Sequence, residues 1–136
     1  MNIEDRPKPQ LDNVSKEYWE AAGRGELLIQ RCPNGHTQHY PRAVCIVCGE
    51  SPSFAKASGR GTVYTYTVIR QNYAKPFRDE LPYVVAMVDL EEGPRMLTNI
   101  TDVAPEDVLI GMPVQAWFAD AGDGIGVPFF RPTPSP

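Results

Sequence analysis

The chain has 136 residues, 42% of them hydrophobic and 22% charged, with a net charge of −4 and three cysteines. That size suits one compact domain, or a small domain with a metal-held appendage, and nothing larger. The acidic total argues against a general polynucleotide groove, three cysteines against a disulfide framework, and no apolar run reaches membrane-spanning length.

Charge is unevenly spread. Residues 24–78 hold eight Arg or Lys against Glu26 and Glu50, a balance of +6, whereas residues 79–136 hold ten acids against Arg95 and Arg131, a balance of −8. A basic zone in an acidic chain suits an anionic ligand or an acidic partner surface, unless folding interleaves the two signs.

Residues 1–12 carry Pro7 and Pro9 among charges and read as a flexible arm, and residues 1–15 do not resemble a secretory leader. Residues 13–26 read as a helix. Asn13 or Ser15 can cap it, Val14, Tyr18, Trp19 and Ala22 share a face, and Gly23 and Gly25 end it. Tyr18 and Trp19 on so short a helix must be buried, either on the chain's own barrel or as anchors at an interface. Residues 27–31 form a short strand that leads to the first of four clustered ligand-type residues.

Those residues are Cys32, His36, Cys45 and Cys48. Cys45-x2-Cys48-Gly49 is the turn of a metal knuckle, in which glycine lets the backbone fold beneath the ion. A regular ribbon would repeat it, but Gly35 stands where a second cysteine is expected and His36 follows. The spacing predicts a structural zinc site of three thiolates and one imidazole. His36 is the preferred fourth ligand because Cys32-x3-His36 keeps the first knuckle tight; His39 competes. A redox dithiol would want a thioredoxin-like context, and this stretch is loop-rich. Four protein ligands leave no open position for water.

After Phe54 the sequence turns to strands. Gly61–Arg70 alternates, with Val63, Thr65, Thr67 and Ile69 on one face and Tyr64, Tyr66 and Val68 on the other. Tyr83–Leu90 and Arg95–Ile100 form a hairpin around Glu92-Gly93. Asp102–Val108 reads as one helical turn capped by Thr101 or Asp102, and Val114–Ala119 as a fourth strand. A last strand runs into Phe129 and Phe130. Residues 132–136 are a proline-rich tail. Five strands with one short helical turn between the third and fourth suit a small closed barrel of the OB type.

Several of these pieces resemble one family. Trp19, Gly25, Leu27, Gln30-Arg31-Cys32, Tyr40-Pro41-Arg42 and Cys45-x2-Cys48-Gly49 are similar to the zinc-ribbon portion of the DUF35 family. Ser58–Val63, Pro82-Tyr83-Val84, Gly111–Val114 and Pro128-Phe129 resemble its OB-fold portion, so the similarity covers about residues 13–131. The resemblance implies a mainly β chain: helix, rubredoxin-like zinc ribbon over 27–57, and five-stranded OB-fold barrel over 58–131. It also implies a cytoplasmic, non-catalytic small subunit, paired with a thiolase-like or acyltransferase large subunit that holds the catalytic cysteine. Benzylsuccinyl-pathway thiolase, in anaerobic aromatic degradation, has such a subunit. The substrate would be an acyl-CoA thioester, the metal a structural Zn2+, and the assembly a hetero-oligomer without nucleic acid or membrane.

On that reading CoA phosphates would favour arginines. Arg42 follows a rigid proline and Arg60 sits between two glycines, although Gly59-Arg60-Gly61 also reads as a plain strand-entry turn. The alternative is a single-stranded nucleic-acid binder with Tyr64 and Tyr66 as a stacking platform. An enzyme acting alone would need a nucleophile and a base, and no G-x-S-x-G elbow is present.

Overall fold

The structure, a computed structural model, describes residues 3–134. Its first helix, α1, spans Lys16–Gly23. Asp12 starts it: one carboxylate oxygen accepts the backbone N–H of Val14 (3.0 Å) and of Ser15 (2.7 Å) and the Ser15 hydroxyl (2.8 Å). Ser15, one of the two expected caps, takes the N-cap position, but its hydroxyl donates to Asp12 and makes no side-chain cap bond. Gly25 closes the other end at φ +81°, donating to the Ala22 carbonyl.

The first sheet is three-stranded, with β1 (Leu28–Arg31) between β2 (Thr37–Gln38) and β3 (Ser53–Lys56), all antiparallel. The metal-ligand stretch lies between these strands in sequence, so the sheet fixes both ends of it.

Five strands then close a barrel in the order β4-β5-β6-β8-β7: β4 is Arg60–Ile69, β5 Tyr83–Leu90, β6 Arg95–Ile100, β7 Pro113–Asp120 and β8 Gly126–Pro132. Closure removes the free sheet edges that helices would otherwise have to cover. Strand β4 serves both sides, pairing β7 through Arg60–Thr62 and β5 through most of its length. The β6–β8 seam is parallel, through Ile100 and Phe130, and Thr98 adds a hydroxyl bond to the Pro128 carbonyl at 3.1 Å. Val63, Val84, Val88, Val114 and Phe130 fill the interior.

The alternation expected in β4 fails at one point. Val63 faces Val88 and Thr65 faces Met87, so Tyr64 is an extra residue in a β-bulge. Beyond it the faces exchange: Tyr66 and Val68 join Val63 against the core, and Thr65 and Thr67 turn outward. Tyr64 is left exposed with the Arg95 guanidinium 3.4 Å from its ring centroid. The two tyrosines therefore share no face, which dismantles the stacking platform that the nucleic-acid alternative needs.

Two further expectations are corrected. Between β6 and β7 the helical turn is a 3-10 segment, Pro105–Asp107, without a side-chain cap. Thr101 instead accepts the Trp117 indole N–H at 2.7 Å. Within the first twelve residues, expected as a loose arm, Ile3 and Arg6 pack on the barrel while most of the others stay exposed. Ile3 is buried with Ala119, Ala121, Ile125 and Phe129, and Arg6 stacks on Phe77 and Phe129. Ile3 is the one large aliphatic in that stretch before Leu11, and burying it fixes the chain's path. Phe77 belongs to α2 (Lys75–Arg78), a single turn that the sequence reading left out. The tail expectation splits: Pro132 ends β8, Thr133 bonds back to the Pro113 carbonyl, and residues 135–136 lie outside the described residues.

Helix α1 joins the two halves. Tyr18, Ala21 and Leu27 lie in the same buried cluster as Val63, Val88 and Phe130. At its C-terminal end it meets β8 backbone to backbone: a Cβ on Gly126 would run into the Ala22 carbonyl and sit 3.2 Å from Gly23 Cα. Among the described residues no helix is long and apolar enough to cross a membrane.

Candidate metal centre

The ligand geometry begins with two knuckles. In the first, the Cys32 N–H donates to the His36 carbonyl (2.9 Å) and the Gly35 N–H returns to the Cys32 carbonyl (3.0 Å). Gly35 takes φ +86°, a left-handed conformation that costs a cysteine strain, so the ligand role passes to the next residue. In the second, Cys45 N–H donates to Glu50 and Gly49 N–H to Cys45, with Gly49 at φ +77°. Backbone N–H groups of His36 and Val47 and the Asn34 amide point at sulfur, each at 3.4 Å.

Cys32, His36, Cys45 and Cys48 converge, with one ligand atom from each lying within 4.8 Å of all the others. Cys48 Sγ is 3.7 Å from Cys32 Sγ, and His36 Nδ1 is 3.3 Å from Cys32 Sγ and 3.7 Å from Cys45 Sγ. Tetrahedral zinc with Zn–S about 2.3 Å and Zn–N about 2.0–2.1 Å needs ligand edges of about 3.5–3.8 Å. The cluster fits, and it offers a complete shell. Bound zinc would supply no reaction chemistry in such a shell; it would cross-link the loops. The thiols differ before any metal arrives. Burial pushes Cys32 up, while the Glu50 backbone N–H, then the Asn34 amide, bring Cys48 down to about 6. That shift favours the thiolate, the form in which sulfur binds metal.

Buried glutamines hold the second knuckle in place. Gln30 closes a two-way contact with the backbone of Arg42, its amide donating to the carbonyl (2.9 Å) and accepting the N–H (2.9 Å). Gln38 donates to Gln30 Oε1 (2.7 Å) and to the Val44 carbonyl (3.2 Å), and accepts the Ile46 N–H (3.0 Å). Cys45 lies between those last two residues, so β1 and β2 position it through side-chain amides.

His39 is elsewhere. Its Nε2 lies 3.2 Å from the Tyr18 hydroxyl, and burial lowers its pKa to about 4. Tyr18 is 2% exposed and belongs to the chain's own core, and Trp19 is half-buried with its indole N–H on the Tyr40 hydroxyl (2.8 Å). Of the two aromatics offered as interface anchors, Tyr18 is therefore internal packing.

The comparisons with known proteins follow the same two-part division. Residues 19–54 match the family described as "ChsH2, rubredoxin-like zinc ribbon domain", and residues 55–119 match "ChsH2, C-terminal OB-fold domain". A "DUF35 domain-containing scaffold protein" of Methanocaldococcus jannaschii is 43% identical over 73% of this chain and 74% of its own length. The chain belongs to the DUF35 family.

Two other similarities put the DUF35 unit in context. The "probable enoyl-CoA hydratase alpha subunit" of Thermomonospora curvata is 38% identical over 93% of this chain, but the chain spans only 40% of that relative's length. A solved structure titled "Ltp2-ChsH2(DUF35) aldolase" contains a chain 37% identical with a TM-score of 0.82. The match covers 92% of this chain and 98% of that one.

The two arginines singled out for phosphate lie apart in character. Arg60 is exposed and donates to Glu91 at 2.8 Å, so its charge is half-answered at home. Arg42 is exposed, and no acidic side chain among the described residues pairs with it. What sequence reasoning missed is the support. Gln38 and Asn34 carry no spacing signal, and the period-2 pattern Gln30–Arg31, Thr37–Gln38 was too short to mark them as inward-facing.

Proposed function

We propose that this chain is the non-catalytic scaffold unit of an acyl-CoA-acting complex, whose larger subunit holds the reacting groups. One observation carries the reading: the cluster uses all three cysteines and His36, while His39, the other histidine, is half-buried against Tyr18. Acyl transfer and thiolysis need an activated nucleophile beside a base, and cysteine and histidine chemistry is committed to structure here. The likeness to the DUF35 chain of an aldolase assembly and to a hydratase alpha subunit supports the same division of labour.

In this reading Zn2+ sits in Cys32, His36, Cys45 and Cys48 and ties the ribbon shut. Three thiolate ligands suit a reducing compartment, and on that ground we assign the complex to the cytoplasm. The partner is a thiolase-like or hydratase-like large subunit in a hetero-oligomer. Its pocket selects the acyl group, for which the aromatic acyl-CoA of anaerobic toluene breakdown is one member of the class. Arg42 is the arginine we assign to the CoA phosphates, with Arg60 joining only when Glu91 releases it.

Co-expression with the larger subunit tests this. The complex is expected to turn over an acyl-CoA, the isolated zinc-loaded chain to be inactive, and the larger subunit alone to lose solubility or activity. Turnover by this chain without a partner refutes the proposal.

A further inference from the structure

We propose that Cys32 and Cys48 form a peroxide-responsive switch that opens the zinc site, with Cys48 as the attacking sulfur and Cys32 as the resolving one. Zinc in the cluster is its one premise; the acyl-CoA role of the larger assembly is not. A site that only staples a fold gains from hiding every sulfur. Here Cys32 and Cys45 are buried, 4% and 3% exposed, whereas Cys48 is exposed. The Asn34 amide that reaches the Cys48 sulfur, at 3.4 Å, also belongs to an exposed residue. The second sulfur is at hand, because Cys32 Sγ lies 3.7 Å from Cys48 Sγ, in van der Waals contact. Both are thiolates when zinc is bound. An accessible thiolate beside a sheltered one is the arrangement that turns an oxidant's attack into a reversible disulfide, ahead of irreversible over-oxidation.

The oxidant is a hydroperoxide, and the chemistry balances in two steps. The Cys48 thiolate attacks the terminal peroxide oxygen; an S–O bond forms, the O–O bond breaks, and the departing alkoxide or hydroxide takes a proton from water. The Cys32 thiolate then attacks the Cys48 sulfur. The S–S bond forms, the S–O bond breaks, and the hydroxide that leaves is protonated by solvent. Two electrons pass from the sulfurs to the peroxide and two protons are consumed. Cys45 and His36 remain as ligands, two of the four that tetrahedral zinc needs, and the ion is released. The ribbon stays tied, because the new disulfide joins the first knuckle to the second where the ion did. The Gln30 and Gln38 amide bonds to the second knuckle take no part in the exchange. In a reducing compartment such a disulfide is transient, as a sensor requires.

The test uses the full-length chain loaded with zinc and assayed for its metal before oxidant is added. Equimolar hydrogen peroxide is then supplied beside a colorimetric chelator too weak to strip the resting site. Zinc release is expected to accelerate about tenfold or more over the peroxide-free rate. Free thiols counted in denaturant should fall from the three of the sequence to one. Peptide mapping should find Cys32 joined to Cys48 with Cys45 free, and dithiothreitol with added zinc should reverse every change. Cys48→His keeps four ligands of kinds that zinc accepts, and its zinc should leave about tenfold more slowly in peroxide than that of wild type. Where that variant fails to fold, the wild-type peptide map decides. Zinc retained through equimolar peroxide overturns the inference, as does a Cys45–Cys48 disulfide or a sulfinic acid at Cys48 without a disulfide. A full-length chain that takes up no zinc removes the metal site and the switch together, and leaves the acyl-CoA reading to its own co-expression test.

Discussion

Replacing Gln38 by alanine tests whether the ribbon's amide network, rather than its ligands alone, sets metal affinity. Gln38 is 6% exposed and makes three hydrogen bonds, to Gln30, Val44 and Ile46. Deleting it orphans the Val44 carbonyl and the Ile46 N–H, both at exposed residues that water reaches, at about 1 kcal/mol each. Gln30 loses one partner but keeps the Arg42 N–H, adding about 1 kcal/mol at most. The total of about 2–3 kcal/mol falls on the conformation that presents Cys45. Because a ribbon of this size folds on its metal, the loss is expressed as zinc affinity, weakened about 30- to 150-fold. Competition against a chromophoric chelator measures it on the folded protein. An affinity within threefold of wild type would refute the claim that side-chain amides position the knuckle.

Three other outcomes are expected. His39 has a folded pKa near 4 against an ordinary 6.5, so the unfolded chain binds the proton first and stability falls as pH drops from about 6.5 towards 4. About 2 kcal/mol should be gone by pH 5, and urea midpoints of His39→Phe should lack that slope relative to wild type. Gly126→Ala is expected to cost about 1–3 kcal/mol or more by driving a methyl into the Ala22 carbonyl. Gly25→Ala, with nothing within 4 Å, should cost only its left-handed backbone, about 1–2 kcal/mol, in the same melts. Tyr66→Ser should lower stability by about 2–4 kcal/mol and Tyr64→Ser by less than about 1, since the bulge turns one ring to the core and the other to solvent. Equal losses at the two tyrosines would contradict the observed register.

Periodicity worked where a strand has one wet face. Tyr83–Leu90 and Arg95–Ile100 were read with the boundaries they take, because Val84, Ala86, Val88 and Leu90 alternate with outward residues. It failed in β4 because a bulge is a count error of one, invisible when both faces carry Thr, Tyr and Val. The four clustered residues were legible from chemistry: thiolates three apart before a glycine have few other uses. Choosing His36 over His39 rested on knuckle length, and the structure puts His36 in the cluster and His39 on Tyr18. The amide network and the Ile3 clasp were not legible, since each depends on a contact between segments that sequence separation does not announce.

The position of α1 explains why ribbon and barrel act as one body. The ribbon's own large apolar residues are few, and Val44, Ile46 and Val47 face outward. Its strand β1 contributes Leu28 and Ile29 to the cluster that Tyr18 and Phe130 also occupy. Tyr18 reaches His39 on one side and the barrel core on the other, while Gly126 lets the helix end approach β8 at backbone distance. A force applied to the knuckle tip would thus pass through β1 and α1 into the barrel without crossing a flexible linker. A bound ion would hold the knuckle, and the shared core would keep that knuckle in register with the barrel.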